Sequence, residues 1–327
     1  MDSARLDPWF AVVETNGPAP GQQTVLAILS RGITVMFRRL QLALHSLVVP
    51  PVVSGLGAYL QLESGTLSSL DNARRVAVIA SWDAGNVMSL SLSRYVESLA
   101  KAGYTSLVVF TGKTQLPLVW PHGLAESAVV VRRRNIGYDF GSWAAALNAV
   151  PAIRSADHVL LTNDSMVGPF ESVEPILRRI ESSAASVTTL TDSFQIGHSL
   201  QSYFMHFKDG ILDDLAWRHF FDGVRSQKSK MDVVYKYERA VARECVAGAY
   251  GWQALYPATA LQVTHENSAI VAWQDLLDLG FPFVKRTLWN EPSLAAEAQK
   301  AELYLKETRG VNVQDWLPLP VAETVQK

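Results

Sequence analysis

Two short stretches hold the residues whose types and spacing could do chemistry. One is RRRNIGYDFGSW (132–143), where three arginines run into Asn135, Gly137, Asp139 and Gly141. The other is HVLLTNDS (158–165), an apolar run that ends in Asn163, Asp164 and Ser165. An apolar strand that delivers a carboxylate at its carboxyl end can set a divalent metal beside a diphosphate. Mg2+ and Mn2+ want hard oxygen ligands and often take only one or two from protein, with phosphate and water supplying the others. Asp164 supplies one carboxylate, while Asn163 and Ser165 offer neutral oxygens. The same triplet suits an Asx-type turn in which Asp164 caps local backbone amides. The pattern alone does not separate these two readings.

In the first stretch, Asn135 and Gly137 suit a turn with positive φ, and Gly141 permits close approach of the backbone to a ligand. Alternate residues of a strand face opposite ways, so Arg132 and Arg134 share a side and either could meet a phosphate with a bidentate fork. The plain alternative is a solvated strand end in which an arginine pairs with Asp139. Neither a P-loop nor a G-x-G-x-x-G spacing is present, which argues against ATP and NAD chemistry of those types. Four further candidates are Asp192 in LTDS (190–193), His198 and Gln201 in HSLQSYFMHF (198–207), and Glu238 in YKYERAV (235–241). His206 lies inside an alternating run and reads as structural. Glu238 reads either as a salt-bridged surface acid, given Lys236 and Arg239, or as an acid whose aromatic setting tunes it for general base work.

These residues must be positioned by strands and helices that alternate from Arg75 onward. RVAVIASW (75–82), SLVVFTG (106–112), SAVVVRR (127–133), HVLLTND (158–164), SVTTLTDS (186–193) and SYFMHFK (202–208) read as strands. Helical periodicity covers 86–102, closed by Gly103, then 142–150, and much of 208–251. YPATALQV (256–263) reads as a strand, 269–280 as a helix, and GFPFVKRTLW (280–289) as extended because Pro282 disfavours helix before it. The order predicts an α/β fold with a mainly parallel sheet covered by helices on both faces. Ligands of such sheets sit beyond the carboxyl ends of the strands. That rule singles out Trp82-Asp83, Thr111-Gly112, residues 133–139 and residues 163–165.

Bulk properties narrow the class. The 327 residues are 48% hydrophobic and 18% charged, enough for a sizeable core. A formal charge of −2 gives no electrostatic reason to expect nucleic acid. The lone Cys245 excludes an intrachain disulfide and fits a reducing, cytoplasmic setting, and no Cys/His group has zinc spacing. MDSARLDPWF lacks the features of a signal peptide. Residues 24–47 read as an amphipathic helix bearing Arg31, Arg38 and Arg39, and 41–62 carry no charged residue but are broken by Pro50-Pro51. Residues 22–62 are therefore a helical element packed on the main domain, a peripheral contact with the inner face of a membrane, or, third, a membrane span. The expected organisation is an arm and helical extension (1–70), a main domain (71–295), and a C-terminal helix and tail (296–327).

RNIGYDFGSW (134–143), LLTNDSMVGPF (160–170), LTDS (190–193), HSLQSYFMHF (198–207), Tyr237-Glu238 and GFPFVKR (280–286) together resemble the rhamnan synthesis protein F family of bacterial polysaccharide enzymes. The likeness covers residues 75–290, roughly two thirds of the chain. The family looks like a relative of GT-A glycosyltransferases. The resemblance implies a GT-A-like fold and transfer of a sugar, with rhamnose from a dTDP donor favoured, to a lipid-linked or oligosaccharide acceptor of O-antigen or rhamnan type. It implies a donor site at Ser81, Trp82, Asp83, Thr111, Arg134, Asn135, Gly137, Asp139, Asn163, Asp164 and Ser165, with Mg2+ or Mn2+ at Asp164. Glu238 is the implied base and Asp192 the second choice, while His198, Gln201, Lys285 and Arg286 would hold acceptor or phosphate. Two departures stand out: one acid where the metal motif has two, and HENSAIVAW where the family tends to carry Asn-Pro-Thr. The single acid also motivates an alternative, a carbohydrate-binding or assembly module with a decayed active site.

Overall fold

The computed structural model describes residues 48–195 and 197–318, together with Leu44. The strands, in chain order, are β1 (Gln61–Ser64), β2 (Arg75–Asp83), β3 (Thr105–Gly112), β4 (Val129–Arg132), β5 (His158–Asn163), β6 (Met166–Val167), β7 (Val187–Ser193), β8 (Ser199–Leu200), β9 (Phe204–Lys208), β10 (Trp252–Tyr256) and β11 (Val284–Lys285). Among the described residues, the helices of eight residues or more are α1 (Leu90–Lys101), α2 (Tyr138–Ala149), α3 (Glu174–Glu181), α4 (Leu215–Asp222), α5 (Arg239–Ala247) and α6 (Ala295–Arg309).

The central sheet runs β1-β4-β3-β2-β5-β9-β7-β10. Strands β4, β3, β2 and β5 are parallel, and β10 is parallel to β7, whereas β1, β8 and β9 are antiparallel to their neighbours. The chain therefore winds outward from β2 through β3 to β4, then returns to place β5 on the other side of β2. That reversal makes the carboxyl ends of β2 and β5 a topological switch point, where the two crossovers diverge and leave a crevice.

Burial on both faces explains why the central strands read as continuous apolar runs. Val76, Val78 and Ala80 of β2 enter one core with Val159 and Leu161 of β5 and Phe140, Trp143 and Leu147 of α2. Ala77 and Ile79 enter the opposite core with Leu92, Val96 and Leu99 of α1 and Leu177 and Ile180 of α3. A third cluster joins Val167 of β6 and Val284 of β11 to Ala298, Ala301 and Leu305 of α6.

The expected strands are present with shifted limits. The strand expected at 256–263 lies earlier, at β10, and ends at Tyr256 because Pro257 has no N–H to continue the ladder. The helix expected from residue 142 begins at Tyr138, and the extended stretch at 280–289 closes in a helical turn, Thr287–Asn290. β1, which precedes residue 71, is an edge strand of the central sheet.

Of the 22–62 segment, residues 22–43 and 45–47 lie outside the described residues, as do 319–327. From Val49 onward the segment docks on the domain: Arg225 Nε donates to the Val49 carbonyl at 2.9 Å, and Val52 N donates to Val224 O at 2.7 Å. Val52 is buried in the α2-side core. Among the described residues no helix is long and apolar enough to cross a membrane.

His206 of β9 is the structural histidine its alternating run predicts. It is buried, with its ring 5.3 Å from that of His158. Burial, with the nearby His158, pushes its pKa down to about 3, and burial lowers that of His158 as well. Below the ordinary histidine pKa the unfolded chain binds a proton that the native state refuses, so stability falls as pH drops from about 6.5 toward 3. In urea titrations, His206→Phe should remove on the order of 2 kcal/mol of the loss seen between pH 7 and pH 4.5. An unchanged pH slope would refute the assignment.

Candidate functional site

Parallel pairing of β2 with β5 sets Ala80 beside Asn163, so the two strands end together. Just past these ends, the Asp164 carboxylate turns back onto β2. Its Oδ2 accepts from Ser81 Oγ at 2.8 Å and from the Trp82 amide at 3.1 Å, and its Oδ1 faces Arg286 Nη2 at 3.4 Å. Asn163 forms the Asx turn: its Oδ1 accepts from the Ser165 amide and hydroxyl at 3.1 and 2.7 Å. Asp164 thus caps a backbone amide, but that of a neighbouring strand. Thr111 Oγ1 donates to Ser81 O at 3.1 Å and braces the same edge.

The Asn135-Ile136-Gly137 turn aims α2 at this edge. Gly137 is left-handed at φ 87°, and a Cβ there would meet Val52 Cγ2 at 2.9 Å. A Cβ on Gly141 would strike Ile136 O at 2.1 Å. The second positive φ falls on Tyr138 (56°), where Asn135 was expected to take it. Such a conformation in a bulky residue stores strain that the surrounding structure must hold. It sets Asp139 in the first turn of α2, where Asp139 Oδ2 accepts from Asn163 Nδ2 at 2.8 Å. Burial, followed by the charge of Asp164, pushes Asp139 up to about 6 against that hydrogen bond. Asp83 is also raised, first by burial and with a contribution from Asp164.

The arginines divide differently from their alternation. Arg132 does not face the crevice. It is buried, pairs with Glu63 of β1 at 3.1 Å, and donates to the carbonyls of Thr114 and Leu116. Arg133 is buried against Ser142 Oγ and the carbonyls of Gly57 and Ile136. Arg134 and Asn135 are exposed, and among the described residues no ion pair joins Arg134 to Asp139.

Opposite α2 stands Glu238. It closes a π-helical turn, Val234–Glu238, that runs on into α5. One extra residue in such a turn re-aims its side chains. Tyr237 packs inward, its ring 5.4 Å from that of Phe140, while Glu238 Oε1 accepts from Ser202 Oγ. Burial raises the Glu238 carboxyl above the ordinary carboxylate range, opposed by Ser202 and by the positive charges of Lys285 and Lys230. Lys285 arrives on β11, which pairs with β6 directly after the Asn163-Asp164-Ser165 turn. Its Nζ lies 5.0 Å over the Tyr203 ring, and burial pushes its pKa down to about 8. Asp139, Glu238, Lys230 and Lys285 thus lie within electrostatic range of one another.

Asp192, His198 and Gln201 are internal. Asp192 Oδ2 lies 3.0 Å from His198 Nε2, and Oδ1 accepts from the Ala258 amide at 2.6 Å. Gln201 Oε1 accepts from Thr191 Oγ1. All three are at least nine-tenths buried, so they brace β7 and leave no face for an acceptor. Sequence reasoning passed over Ser202, Tyr203 and Lys230. The first two sit inside HSLQSYFMHF, where an alternating strand pattern hid them, and Lys230 opens a helical turn that Ser229 caps.

The donor set at Asp164 does not fit a divalent cation. Both carboxylate oxygens already accept from protein donors, one of them a guanidinium, and the Asn163 oxygen is taken by Ser165. Among the described residues no group of three or more His, Cys, Asp or Glu side chains converges on a metal position. The charges available to an anion here are those of Arg286, Lys285 and Lys230.

Breaking the buried Arg132–Glu63 pair leaves an acid without its partner. Arg132→Ala should lower unfolding free energy in urea by about 3–5 kcal/mol. Arg134→Ala should change it by less than about 0.5 kcal/mol. Equal effects would place the two arginines in equivalent settings and contradict the division.

The chain is similar in part to known proteins. One relative, the virulence protein VirA of Vibrio anguillarum, is 27% identical over 195 residues, covering 50% of this chain and 62% of its own length. The uncharacterized protein y4gN of Sinorhizobium fredii is 22% identical over 174 residues, covering 50% of this chain and 44% of its own. The chain therefore matches less than two thirds of either relative. No solved structure matches. The profile of rhamnan synthesis protein F matches residues 123–310, from the approach to β4 through α6 and including Asp139, Asp164, Glu238 and Arg286. By that match over more than half its length, the chain belongs to the rhamnan synthesis protein F family.

Proposed function

We propose that this protein is a GT-A-type glycosyltransferase that moves a sugar from a nucleotide-sugar donor onto a growing cell-surface polysaccharide. One observation carries the reading. At the switch point between β2 and β5, the Asp139–Asn163 and Asp164–Ser81 contacts gather acids at the strand ends, and Glu238, Lys285 and Lys230 lie within electrostatic range of Asp139. An activated sugar needs groups of both signs: acids toward ribose and acceptor hydroxyls, cations toward the leaving diphosphate.

Asp83 and Asp139 are the acids we assign to the nucleoside and sugar hydroxyls, with Trp82, 43% exposed and next to Asp83 in the chain, as an aromatic surface. Glu238 is the base. Ser202 orients its carboxylate, and burial gives it the proton affinity to take the acceptor hydroxyl proton. The acceptor oxygen then attacks the anomeric carbon as the bond to diphosphate breaks, with inversion. Asp164 fixes Ser81, Trp82 and Arg286 relative to one another, a positioning role. The family's name, rhamnan synthesis protein F, supports rhamnose as the sugar; dTDP-rhamnose as donor and a lipid-linked or oligosaccharide acceptor of O-antigen or rhamnan type are part of the proposal. A relative described as a virulence protein fits a surface polysaccharide product. Of the 22–62 segment, the part before Val49 would bring the enzyme to the cytoplasmic membrane face where lipid-linked acceptors reside.

The second reading, a binding or assembly module, is favoured by the commitment of Asp164 to protein partners. Acceptor binding in calorimetry without any nucleotide binding would select it. For the enzyme, transfer from a panel of nucleotide sugars should fall on the order of 10²- to 10⁴-fold in Glu238→Gln. Asp164→Ala should abolish it. In the wild type, kcat/KM should decline on the acid side at a pH above the ordinary glutamate pKa, because the buried base must be ionised. Full turnover in both folded variants would sink the assignment.

A further inference from the structure

We propose that the diphosphate of the donor is held by Arg286, Lys285 and Lys230 in place of a divalent cation, so that nucleotide capture by this chain is metal-independent. The inference rests on the glycosyltransferase reading and specifies how that site takes its substrate.

Three observations converge on it. First, the acid where a metal would be expected is already satisfied, with Ser81 Oγ and the Trp82 amide on one oxygen and Arg286 on the other. A cation entering there would have to displace a guanidinium and forfeit two hydrogen bonds. Second, the β6–β11 ribbon carries two consecutive cations past the Asp164 turn, Arg286 reaching Asp164 and Lys285 lying over Tyr203 in range of Asp139 and Glu238. Lys285 pairs with Met166, and the Arg286 amide donates to Ser165 O at 2.9 Å. Both side chains are therefore fixed by backbone pairing to the turn that carries Asp164. Third, these cations retain capacity. Arg286 touches Asp164 through one nitrogen at 3.4 Å, leaving most of its five N–H donors for a phosphate. Among the described residues, neither Lys285 nor Lys230 has a carboxylate within ion-pair distance; Lys285 rests on the Tyr203 ring. Lys285 is a buried ammonium on which Glu238 and Asp139 act only at a distance, a setting that favours an added anion. Among the described residues, no three of the acids nearby converge on one cation position.

Isothermal calorimetry on the full chain tests this with dTDP, UDP and GDP and the matching monophosphates, first in EDTA and then in excess Mn2+. Diphosphates should bind in EDTA, with a Kd changed less than about twofold by Mn2+ and tighter than that of the monophosphate. Arg286→Ala and Lys285→Met should each weaken diphosphate binding by about tenfold or more, while monophosphate binding changes little. Lys230→Met, at an exposed position, provides the same test should a buried substitution impair folding, with thermal melts reporting the fold of each variant. Diphosphate binding that requires Mn2+ would overturn the inference and leave the glycosyltransferase reading standing. Failure of every nucleotide to bind, with or without metal, would overturn that reading itself.

Discussion

The carboxylate of Asp164 is the contact on which the rest of the site depends. It ties the end of β5 to the end of β2 through Ser81 and Trp82, and both to the β6–β11 ribbon through Arg286. These three segments are more than 80 and more than 120 residues apart in sequence. A half-buried carboxylate is costly to leave unpaired, so the folded state holds all three donors around it. The crevice is therefore built by satisfying one charge, and its charged walls follow from what those segments carry.

Burial does the second part of the work. Asp139, Glu238 and Lys285 are each moved toward the neutral form first by desolvation, and only then adjusted by neighbours. Acids and an amine whose affinities for protons have been drawn together are suited to passing protons and receiving charged substrates near neutral pH. By contrast, Arg132, Asp192, His198 and His206 are buried and serve the scaffold, binding β1, β7 and β9 into the sheet.

Much of the fold was legible from the order of the residues. The strands at 75–82, 106–112, 158–164 and 186–193 announced themselves because burial on both faces demands unbroken apolar runs, and the β-α-β order implied parallel pairing. β1 was hidden because QLES is short and lies on an edge, where no such run is needed. β9 was read as a strand, but its antiparallel direction was not, since pairing direction depends on which connections pass over the sheet.

The site was legible only as a set of candidates. Sequence alone determined that Asn163, Asp164 and Ser165 end a strand, that a turn at Asn135 to Gly137 precedes a helix, and that both belong at the carboxyl edge of a sheet, because those are consequences of local pattern and backbone geometry. Tertiary structure decided the partnerships. Arg132 pairs with Glu63 and Arg286 with Asp164; Glu238 meets Ser202, and Asp192 and His198 close on each other. Spacing along the chain carries no record of which charges will be desolvated together. That is settled when helices and strands pack, and it separates the arginine that braces an edge strand from the one that faces the crevice.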